Sequence, residues 1–275
     1  MNYSVTQFRK DYPDDDVCLD SIFQSRYGDL DTCPHCGVIG VTFYRVKGRK
    51  CYACGECGYQ LHPLAETIFH KSHIPLTSWF YVMYLYSVSK NGVSAKEVQR
   101  HLGVTYKTAW RMCKQIRVAM RQGGMKLSGV VEADETYLGA RNKKTPILGA
   151  LSSKRARAVV TDTASAARTK SFIPSTVQIG TTLHTDESPI YHWTKADYYH
   201  KTVHHSIGEY VRDGVHTNTI EGFWGQLKRS IDGTYHHVSR KYLQSYLDEF
   251  VFRYSYRDVA AYPVLLERAS KRVLR

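Results

Sequence analysis

The sequence predicts an α/β protein of three consecutive parts: a small cysteine-rich ribbon, a group of helices and a mixed α/β domain. Five of the seven cysteines lie between Cys33 and Cys57, and such clustering is typical of a metal-bound ribbon. From Leu76 onward, apolar residues recur at three- and four-residue steps, which indicates helices. After Gly123-Gly124, β-runs alternate with helical segments, as in mixed α/β domains. We expect the parts at 1–70, 71–125 and 126–260, followed by a C-terminal tail at 261–275.

The first part is predicted to contain one short helix within residues 1–30 and then the ribbon. In the second part the apolar pattern predicts a helix that begins at Leu76 and ends before a break at Asn91-Gly92. Ser94 is a good N-cap for a second helix over 94–101, and Thr105 can cap a third helix that ends near residue 119. The third part is predicted to contain four strands and three helices. The strands are at 129–134, 146–150, 156–160 and 181–184, and the helices at 164–171, 217–230 and 240–253.

The charge balance points to a polyanionic partner. Lys and Arg number 38 against 25 Asp and Glu, a formal net charge of +13, and nucleic acid is the usual partner of so basic a protein. The longest apolar run, Trp79 to Tyr86, is too short to span a bilayer, and the N-terminus offers no signal-peptide stretch. We therefore expect a cytoplasmic protein with no membrane partner.

The two helices after Ser94, with Gly103 at the turn between them, have the pattern of a helix-turn-helix. Residues 71–130 carry ten basic side chains against one acidic side chain, which favours contact with DNA phosphates. The alternative is a three-helix connector with a solvated basic face. If the segment binds DNA, the side chains expected at the interface are Tyr106, Lys107, Thr108, Arg111 and Lys114.

The clustered cysteines predict a structural zinc site. Cys33 and Cys36 form a Cys-x-x-Cys pair that is followed by Gly37. Two such pairs can enclose Zn²⁺ in a closed tetrahedral site. The second pair is ambiguous from spacing alone, because Cys51, Cys54 and Cys57 are spaced three apart and give two overlapping candidates.

Three acids in the third part suggest a site for divalent cations. Asp134 and Asp186 each follow a β-run, and Glu221 lies early in a predicted helix. Three carboxylates at one point would repel one another unless cations lay between them. A pair of Mg²⁺ ions there would suit in-line displacement at phosphorus. The flanking acids Glu132, Glu135 and Glu187 keep other assignments open.

The order of these acids and the short sequence motifs around them resemble those of a known protein family. Thirty-four residues separate Asp186 from Glu221, and Lys228 lies seven residues beyond Glu221. The chain resembles the DDE transposases, and in particular the ISXO-like bacterial insertion-sequence group, which is related to the Merlin elements. The matching stretches include Glu132–Tyr137, His184–Glu187, His216–Trp224, Leu227–Arg229, Gly233–Ser239 and Tyr246–Phe250.

The resemblance implies an RNase H-like catalytic domain in which Asp134, Asp186 and Glu221 hold two Mg²⁺ or Mn²⁺ ions. Lys228 and Arg229 would lie near the DNA. Because the family has a Cys-x-x-Cys pair just before a glutamine, here Gln60, it also implies zinc on two cysteine pairs, with Cys51 left as a spare. Some relatives have Asn as the third signature residue, so Asn218 is a further candidate. The implied zinc ligands are Cys33, Cys36, Cys54 and Cys57.

The expected function is that of a DNA transposase. Such a protein binds double-stranded DNA at the element's terminal inverted repeats, frees 3′-hydroxyl ends and joins them to target DNA. Because two ends must be brought together, at least a homodimer is expected in the synaptic complex, and the protein should be nucleoid-associated (nuclear in a eukaryotic host). Two alternatives are a non-catalytic zinc and helix-turn-helix regulator derived from a transposase, and an RNase H-like nuclease without strand transfer.

Overall fold

The computed structural model describes residues 3–139, 144–209 and 211–273. The chain divides into two compact units, and the division is not sequential. The first unit consists of Met1–Ser89, Ala95–Met120 and Val259–Arg275, and the second of Lys90–Ser94 and Arg121–Asp258. None of the helices in these described ranges combines the length and the apolar character that crossing a bilayer requires.

The first unit begins with two helices, where the sequence predicted one. They are α1 (Val5–Asp11) and α2 (Asp15–Tyr27). The chain breaks between them at Pro13, and each helix has its own cap: Ser4 accepts from the N–H of Gln7, and Asp14 accepts from the N–H of Val17. Capping side chains at both starts and a proline between them explain why a single helix does not form.

The ribbon follows as a three-stranded antiparallel sheet in the order β1-β2-β3. Its register pairs Phe43 with Cys54 and Tyr52 with Leu61. A sheet this small buries little apolar surface of its own, so a bound metal would contribute much of its stability. The strands are β1 (Phe43–Arg45), β2 (Tyr52–Cys54) and β3 (Gln60–Leu61).

Three helices of the first unit occupy the stretches that the sequence predicted as helical. Gly103, in the turn between the second and third of them, has a φ of +64°, a left-handed conformation that glycine adopts without strain. Thr105 caps the third helix by accepting from the N–H of Thr108 at 3.3 Å. The helices are α3 (Leu76–Val88), α4 (Ala95–Leu102) and α5 (Tyr106–Ala119).

The second unit is built on a five-stranded mixed sheet in the order β6-β5-β4-β7-β8. The first three strands of this sheet in chain order, β4, β5 and β6, form an antiparallel meander, and β7 and β8 then add in parallel on the far side of β4. This order, with the first strand central, is consistent with an RNase H-like fold. The strands are β4 (Val130–Leu138), β5 (Thr145–Ser152), β6 (Ala156–Val160), β7 (Thr182–Thr185) and β8 (Tyr199–Thr202).

Helices pack on this sheet and form two apolar cores. One core joins Ile147 and Leu151 of the sheet to Phe223, Trp224 and Leu247. The other core is formed around α6 and the first 3₁₀ turn that follows β7. The helices are α6 (Ala166–Thr176), α7 (Asn218–Ser230) and α8 (Arg240–Ser255), and the 3₁₀ turns are Pro189–Ala196 and His205–Ile207.

Strand β8 and the hairpin of β9 (Val211–Arg212) and β10 (Val215–His216) were not predicted. Strand β8 lies at the edge of the sheet, and Tyr199 on it is 71% exposed. An edge strand needs no apolar alternation, so its sequence Tyr-His-Lys-Thr has no strand-like pattern.

The C-terminal segment is a helix of the first unit rather than the tail that the sequence predicted. Helix α9 (Ala261–Ser270) buries Leu265 and Leu266. It packs on α3 and α2 of that unit. Its apolar face therefore completes a core whose other helices, α2, α3 and α5, precede it by more than 140 residues.

Candidate active site and nucleic-acid interface

Two neighbouring parallel strands bring Asp134 and Asp186 to the same level of the sheet. Strands β4 and β7 pair in parallel with Val130 opposite Thr182 and Glu132 opposite His184. Continuing this register by two residues sets Asp134 opposite Asp186, on strands about 4.8 Å apart. Asp186 directly follows the last residue of β7, so its carboxylate lies at the strand's carboxyl end.

The first turn of α7 brings Glu221 to the same region. The hydroxyl of Thr217 donates to Glu221 Oε1 at 3.0 Å, and His205 Nε2 lies 3.6 Å from the same oxygen. Glu221 is close enough to Asp186 for its negative charge to raise the pKa of that carboxyl. The third acid is therefore within electrostatic reach of Asp186, whereas Asp134 lies in the middle of β4 and not at the strand end that the sequence predicted.

Burial and neighbouring negative charges disfavour the charged forms of Asp134 and Asp186. Burial, followed by the charges of Glu135 and Asp186, raises the pKa of Asp134 to about 7. Trp224 Nε1 donates to Asp134 Oδ2 at 3.0 Å and opposes this shift. Burial and the charges of Glu187 and Glu221 also raise the pKa of Asp186. Mutual repulsion of this kind is relieved when a cation binds.

The flanking acids, which the sequence left open as alternatives, have protein partners. Glu132 Oε2 accepts from the N–H groups of Thr219 and Ile220, both at 2.9 Å. Glu135 Oε2 accepts from the hydroxyl of Tyr191 at 3.0 Å. The alternation of side chains along a strand could have predicted that Glu132 shares a sheet face with Asp134 and that Glu135 points to the opposite face.

Glu187 has a comparable structural role beside Asp186. It accepts from the backbone N–H groups of His205 and Ser206, both at 2.9 Å. Backbone hydrogen bonds from Glu187 itself, Ser206 and His205 lower the pKa of Glu187 to about 2. This carboxylate therefore holds the turn that carries His205.

The acids and the cysteines differ in how tightly they are gathered. Four cysteines of the ribbon have ligand atoms that all lie within 4.8 Å of one another: Cys33, Cys36, Cys54 and Cys57. In the described ranges they are the one group of three or more potential metal ligands gathered so closely. Asp134, Asp186 and Glu221 do not form so tight a group. As hard oxygen donors that repel one another, they fit Mg²⁺ or Mn²⁺ chemically.

The cysteine cluster has the dimensions of a tetrahedral zinc site. Cys33 Sγ lies 3.8 Å from Cys57 Sγ, and Cys36 Sγ lies 3.9 Å from Cys54 Sγ. A tetrahedron with Zn–S bonds of about 2.3 Å has edges of about 3.8 Å. Cys51 stands outside the cluster, with its thiol directed to Gln60 Oε1 at 3.5 Å.

The backbone of the ribbon favours a thiolate at the first cysteine. Desolvation opposes ionisation of Cys33, but hydrogen bonds from the backbone N–H groups of Cys36 and His35 outweigh it and lower the pKa of Cys33 to about 6. Metals bind thiolates rather than thiols, so this turn prepares the site for Zn²⁺.

Helix α5 forms one wall of a cationic groove of about 510 Å³ in the first unit. The other wall is the segment before α3, with Lys71 and His73, which the sequence analysis did not single out. Lys71 contributed to the basic count of residues 71–130, but its position opposite α5 had no signal in the sequence. Four of the predicted DNA contacts line the groove: Lys107, Thr108, Arg111 and Lys114.

Tyr106 lies outside the lining of this groove. Its ring is 46% exposed and carries Lys96 Nζ at 4.9 Å from the ring centre. Inside the groove, Lys114 Nζ lies 5.4 Å from the centre of the Trp110 ring. These cation–π contacts keep the lysine side chains ordered while their charge faces solvent.

The remaining predicted residues lie on α7. Lys228 and Arg229 are exposed in its last turn. Lys228, seven residues beyond Glu221, is on nearly the same face of the helix because seven residues are close to two turns. Asn218 is the exposed first residue of the helix. Trp224 is 4% exposed, so its ring is not available to stack on a base.

Comparisons with known proteins agree with this architecture. Residues 126–255 match the model of the ISXO2-like transposase domain, and residues 13–60 match that of the transposase zinc-ribbon domain. An uncharacterized protein in the transposable element ISH50 of Halobacterium salinarum is 27% identical over 261 residues, which cover 84% of this chain and 87% of that protein.

A chain in a simian T-cell lymphotropic virus intasome, solved in complex with PP2A regulatory subunit B56 gamma, aligns with a TM-score of 0.34 and 11% identity. The alignment covers 58% of this chain and 64% of that chain, and this likeness is too weak to support an argument. The zinc-ribbon match lies within the first unit and the transposase-domain match within the second. The chain therefore contains an ISXO2-like transposase domain preceded by a transposase zinc ribbon.

Proposed function

We propose that this transposase cuts DNA at the ends of its element and joins the freed ends to target DNA. The observation that carries the proposal is the parallel register of β4 and β7, which brings Asp134 level with Asp186 beside the helix that bears Glu221. Each of the first two carboxyls has a raised pKa that the other acids help to cause. A site for divalent cations explains why such repelling groups are gathered.

Asp134, Asp186 and Glu221 would hold two Mg²⁺ or Mn²⁺ ions, which supply charge stabilisation to the attacking and leaving oxygens of a displacement at phosphorus. Asn218, three residues before Glu221 on the same helix, is a further candidate ligand. The four-cysteine cluster would hold one structural Zn²⁺, which closes the ribbon and takes no part in the reaction.

The reaction consists of two displacements at phosphorus. First, a water oxygen bonds to phosphorus at the element end and the bond to the 3′-oxygen breaks, which leaves a 3′-hydroxyl. That 3′-oxygen then bonds to a target phosphorus, and the 3′-oxygen of the target leaves and takes up a proton. Trp224 orients Asp134, Thr217 orients Glu221, and Lys228 and Arg229 neutralise phosphate charge near the reacting strand.

Terminal-repeat DNA would bind along the cationic groove of the first unit, where Lys107, Arg111 and Lys114 contact phosphates. Tyr106 and Thr108 would contact the duplex at the start of α5. Recombination needs two element ends together, so we expect at least a homodimer on DNA, and a nucleoid location follows from DNA binding. The non-catalytic regulator and the nuclease without strand transfer are the alternatives to exclude.

A strand-transfer assay with a pre-cut 3′-hydroxyl end distinguishes the three functions. The transposase joins the end to a target plasmid, the nuclease only cuts uncut ends, and the regulator does neither. In Asp186→Asn the rate of joining should fall by about 1000-fold, because a lost metal ligand removes several kcal/mol of transition-state stabilisation. DNA affinity should stay within about threefold of wild type, since exposed lysines dominate binding.

Asp248→Asn is the matched control, because Asp248 accepts hydrogen bonds from Gln122 and Gln244 and has no assigned role in the reaction. It should keep most of the joining activity. If Asp186→Asn joined ends at the wild-type rate, or lost DNA binding together with joining, the proposed role of Asp186 would be wrong.

A further inference from the structure

The N-terminus of α7 lacks a capping side chain of its own. Thr217 is the residue at the cap position, but its side chain makes no capping hydrogen bond. Its hydroxyl donates instead to Glu221 Oε1 at 3.0 Å. The first-turn N–H groups of a helix have no partner within the helix, so a cap has to come from elsewhere.

Glu132, on β4, supplies that cap from outside the helix. A single oxygen, Oε2, accepts from the N–H groups of both Thr219 and Ile220 at 2.9 Å. The side chain of Glu132 is 8% exposed, and His216 Nδ1 lies 3.3 Å from its other oxygen. A buried carboxylate at a helix N-terminus is also favoured by the helix dipole. The cap therefore attaches strand β4 to the first turn of α7, one turn away from the hydrogen bond between Trp224 and Asp134.

This attachment connects two of the acids that the proposed function assigns to one metal site. Glu132 lies two residues before Asp134 on the same sheet face, and Glu221 follows Ile220 directly. The cap therefore sets the distance between the strand that carries Asp134 and the helix turn that carries Glu221. It also leaves Thr217 available to orient Glu221, which a self-capped helix would not allow.

We infer that Glu132 is a positioning residue, which sets the place of Glu221 by capping α7 so that the acids can bind divalent cations together. The inference rests on the proposed function, since it assumes that these acids bind metal. Glu132 itself would not be a metal ligand, because Oε2 is engaged by two N–H groups.

The test measures Mn²⁺ binding to the full-length, zinc-loaded protein by electron paramagnetic resonance. Glu132→Ala removes the cap and should weaken Mn²⁺ binding by about 10- to 100-fold, as expected when a residue that supports a metal ligand is removed. Glu132→Gln keeps an oxygen that can accept the same N–H groups but loses the negative charge at the helix N-terminus, so it should weaken Mn²⁺ binding by a smaller factor, about three- to tenfold. Hydrogen exchange should accelerate at the first turn of α7 in the alanine variant and much less in the glutamine variant.

Asp248→Asn is the control for a purely structural loss. Asp248 is 6% exposed and accepts from the side chains of Gln122 and Gln244 at 2.7 and 2.9 Å. This variant should lower the melting temperature without changing Mn²⁺ affinity. A folded Glu132→Ala whose Mn²⁺ affinity and α7 exchange rates match those of Asp248→Asn would overturn the inference. If the alanine variant does not fold, a Glu132→Gln variant with the Mn²⁺ affinity of Asp248→Asn would overturn it.

Asp186→Asn separates this outcome from failure of the proposed function. If the wild type binds Mn²⁺ and Asp186→Asn does not, the metal site stands and the Glu132 variants decide the inference alone. If the wild type binds no Mn²⁺ that depends on Asp186, the proposed metal site is wrong, and the inference fails with it.

Discussion

Hydrogen bonds to protein groups distinguish the roles of acids that lie close together on β4 and after β7. Glu132 and Glu187 each accept two backbone N–H groups, and Glu135 accepts the Tyr191 hydroxyl. The charge of Glu187 is so well satisfied that its pKa falls to about 2, whereas the pKa of Asp134 rises to about 7. Repulsion at Asp134 can be relieved only by a proton or a cation.

The sequence predicted a strand that ends at Asp134, but β4 continues to Leu138, and local pattern could not tell the roles of these acids apart. The N–H groups that engage Glu132 lie 87 and 88 residues further along the chain. Their approach depends on how α7 docks on the sheet, which no local pattern encodes. The metal-binding role of the cysteines was easier to predict, because Cys33 and Cys36 lie close together in sequence and their Cys-x-x-Cys spacing is typical of a metal site.

His200 should make the stability of the protein depend on pH. Its Nε2 lies 2.9 Å from the hydroxyl of Thr185, and burial, with the charges of Lys195 and His192, lowers its pKa to about 4. The unfolded chain, with an ordinary histidine pKa of about 6.5, binds the proton more tightly. The contribution of His200 is therefore present above pH 6.5 and is lost as the pH falls toward 4.

His200→Gln should reduce the loss of unfolding free energy between pH 7 and pH 4.5 by about 1 kcal/mol, a value discounted because solvent screens a half-buried ring. Urea denaturation at both pH values measures it. The exposed His237 is the control, and His237→Gln should behave as wild type. Equal pH dependence in His200→Gln and wild type would contradict the prediction.

At the scale of elements, α7 determines the geometry of the candidate site through its contact with β5. The ring of Trp224 lies against Gly149, where a Cβ would come within 2.3 Å of Trp224 Cζ2. The same ring donates to Asp134, the residue paired with Gly149 in the sheet. The amphipathic pattern predicted α7 to within one residue. Strand β8 escaped prediction because an edge position imposes no alternation on its side chains.

Two glycine substitutions should therefore have opposite effects on stability. Gly149→Ala forces a methyl group into the Trp224 ring and should lower the free energy of unfolding by about 1–3 kcal/mol. In Gly222→Ala, within α7, the added Cβ has no heavy atom within 4 Å, so better helix propensity should raise the free energy of unfolding by about 0.8–1 kcal/mol.

Guanidinium denaturation of both variants and the wild type checks the signs. Because Trp224 also orients Asp134, the Gly149 variant should lose Mn²⁺ affinity as well. Wild-type stability in Gly149→Ala would mean that the ring of Trp224 can leave Gly149 at little cost, and that α7 is not held in place there.

At the scale of the whole molecule, the basic charge is concentrated in one continuous segment, whereas the two structural units are built from discontinuous segments. Residues 71–130 carry ten basic side chains against one acid, and the sequence alone identified this asymmetry. The discontinuous units could not be predicted, because α9 completes the first unit after the entire second unit has intervened. Tertiary packing of a short amphipathic helix depends on distant partners, whereas net charge is a sum over the sequence.

The cationic groove should account for a measurable part of the salt dependence of DNA binding. Each phosphate that a lysine neutralises contributes about 0.9 to the slope of log K against log salt concentration. Lys107 and Lys114 both line the groove and are exposed. The double variant Lys107→Gln/Lys114→Gln should therefore bind a duplex of arbitrary sequence with a slope that is shallower by about 1.8. Fluorescence anisotropy between 50 and 200 mM salt, a range of about a factor of four, measures the slope. Lys10→Gln, an exposed change in the last turn of α1, should leave the slope as in wild type. If instead the double variant and Lys10→Gln gave the same slope, the groove would not be where phosphates bind.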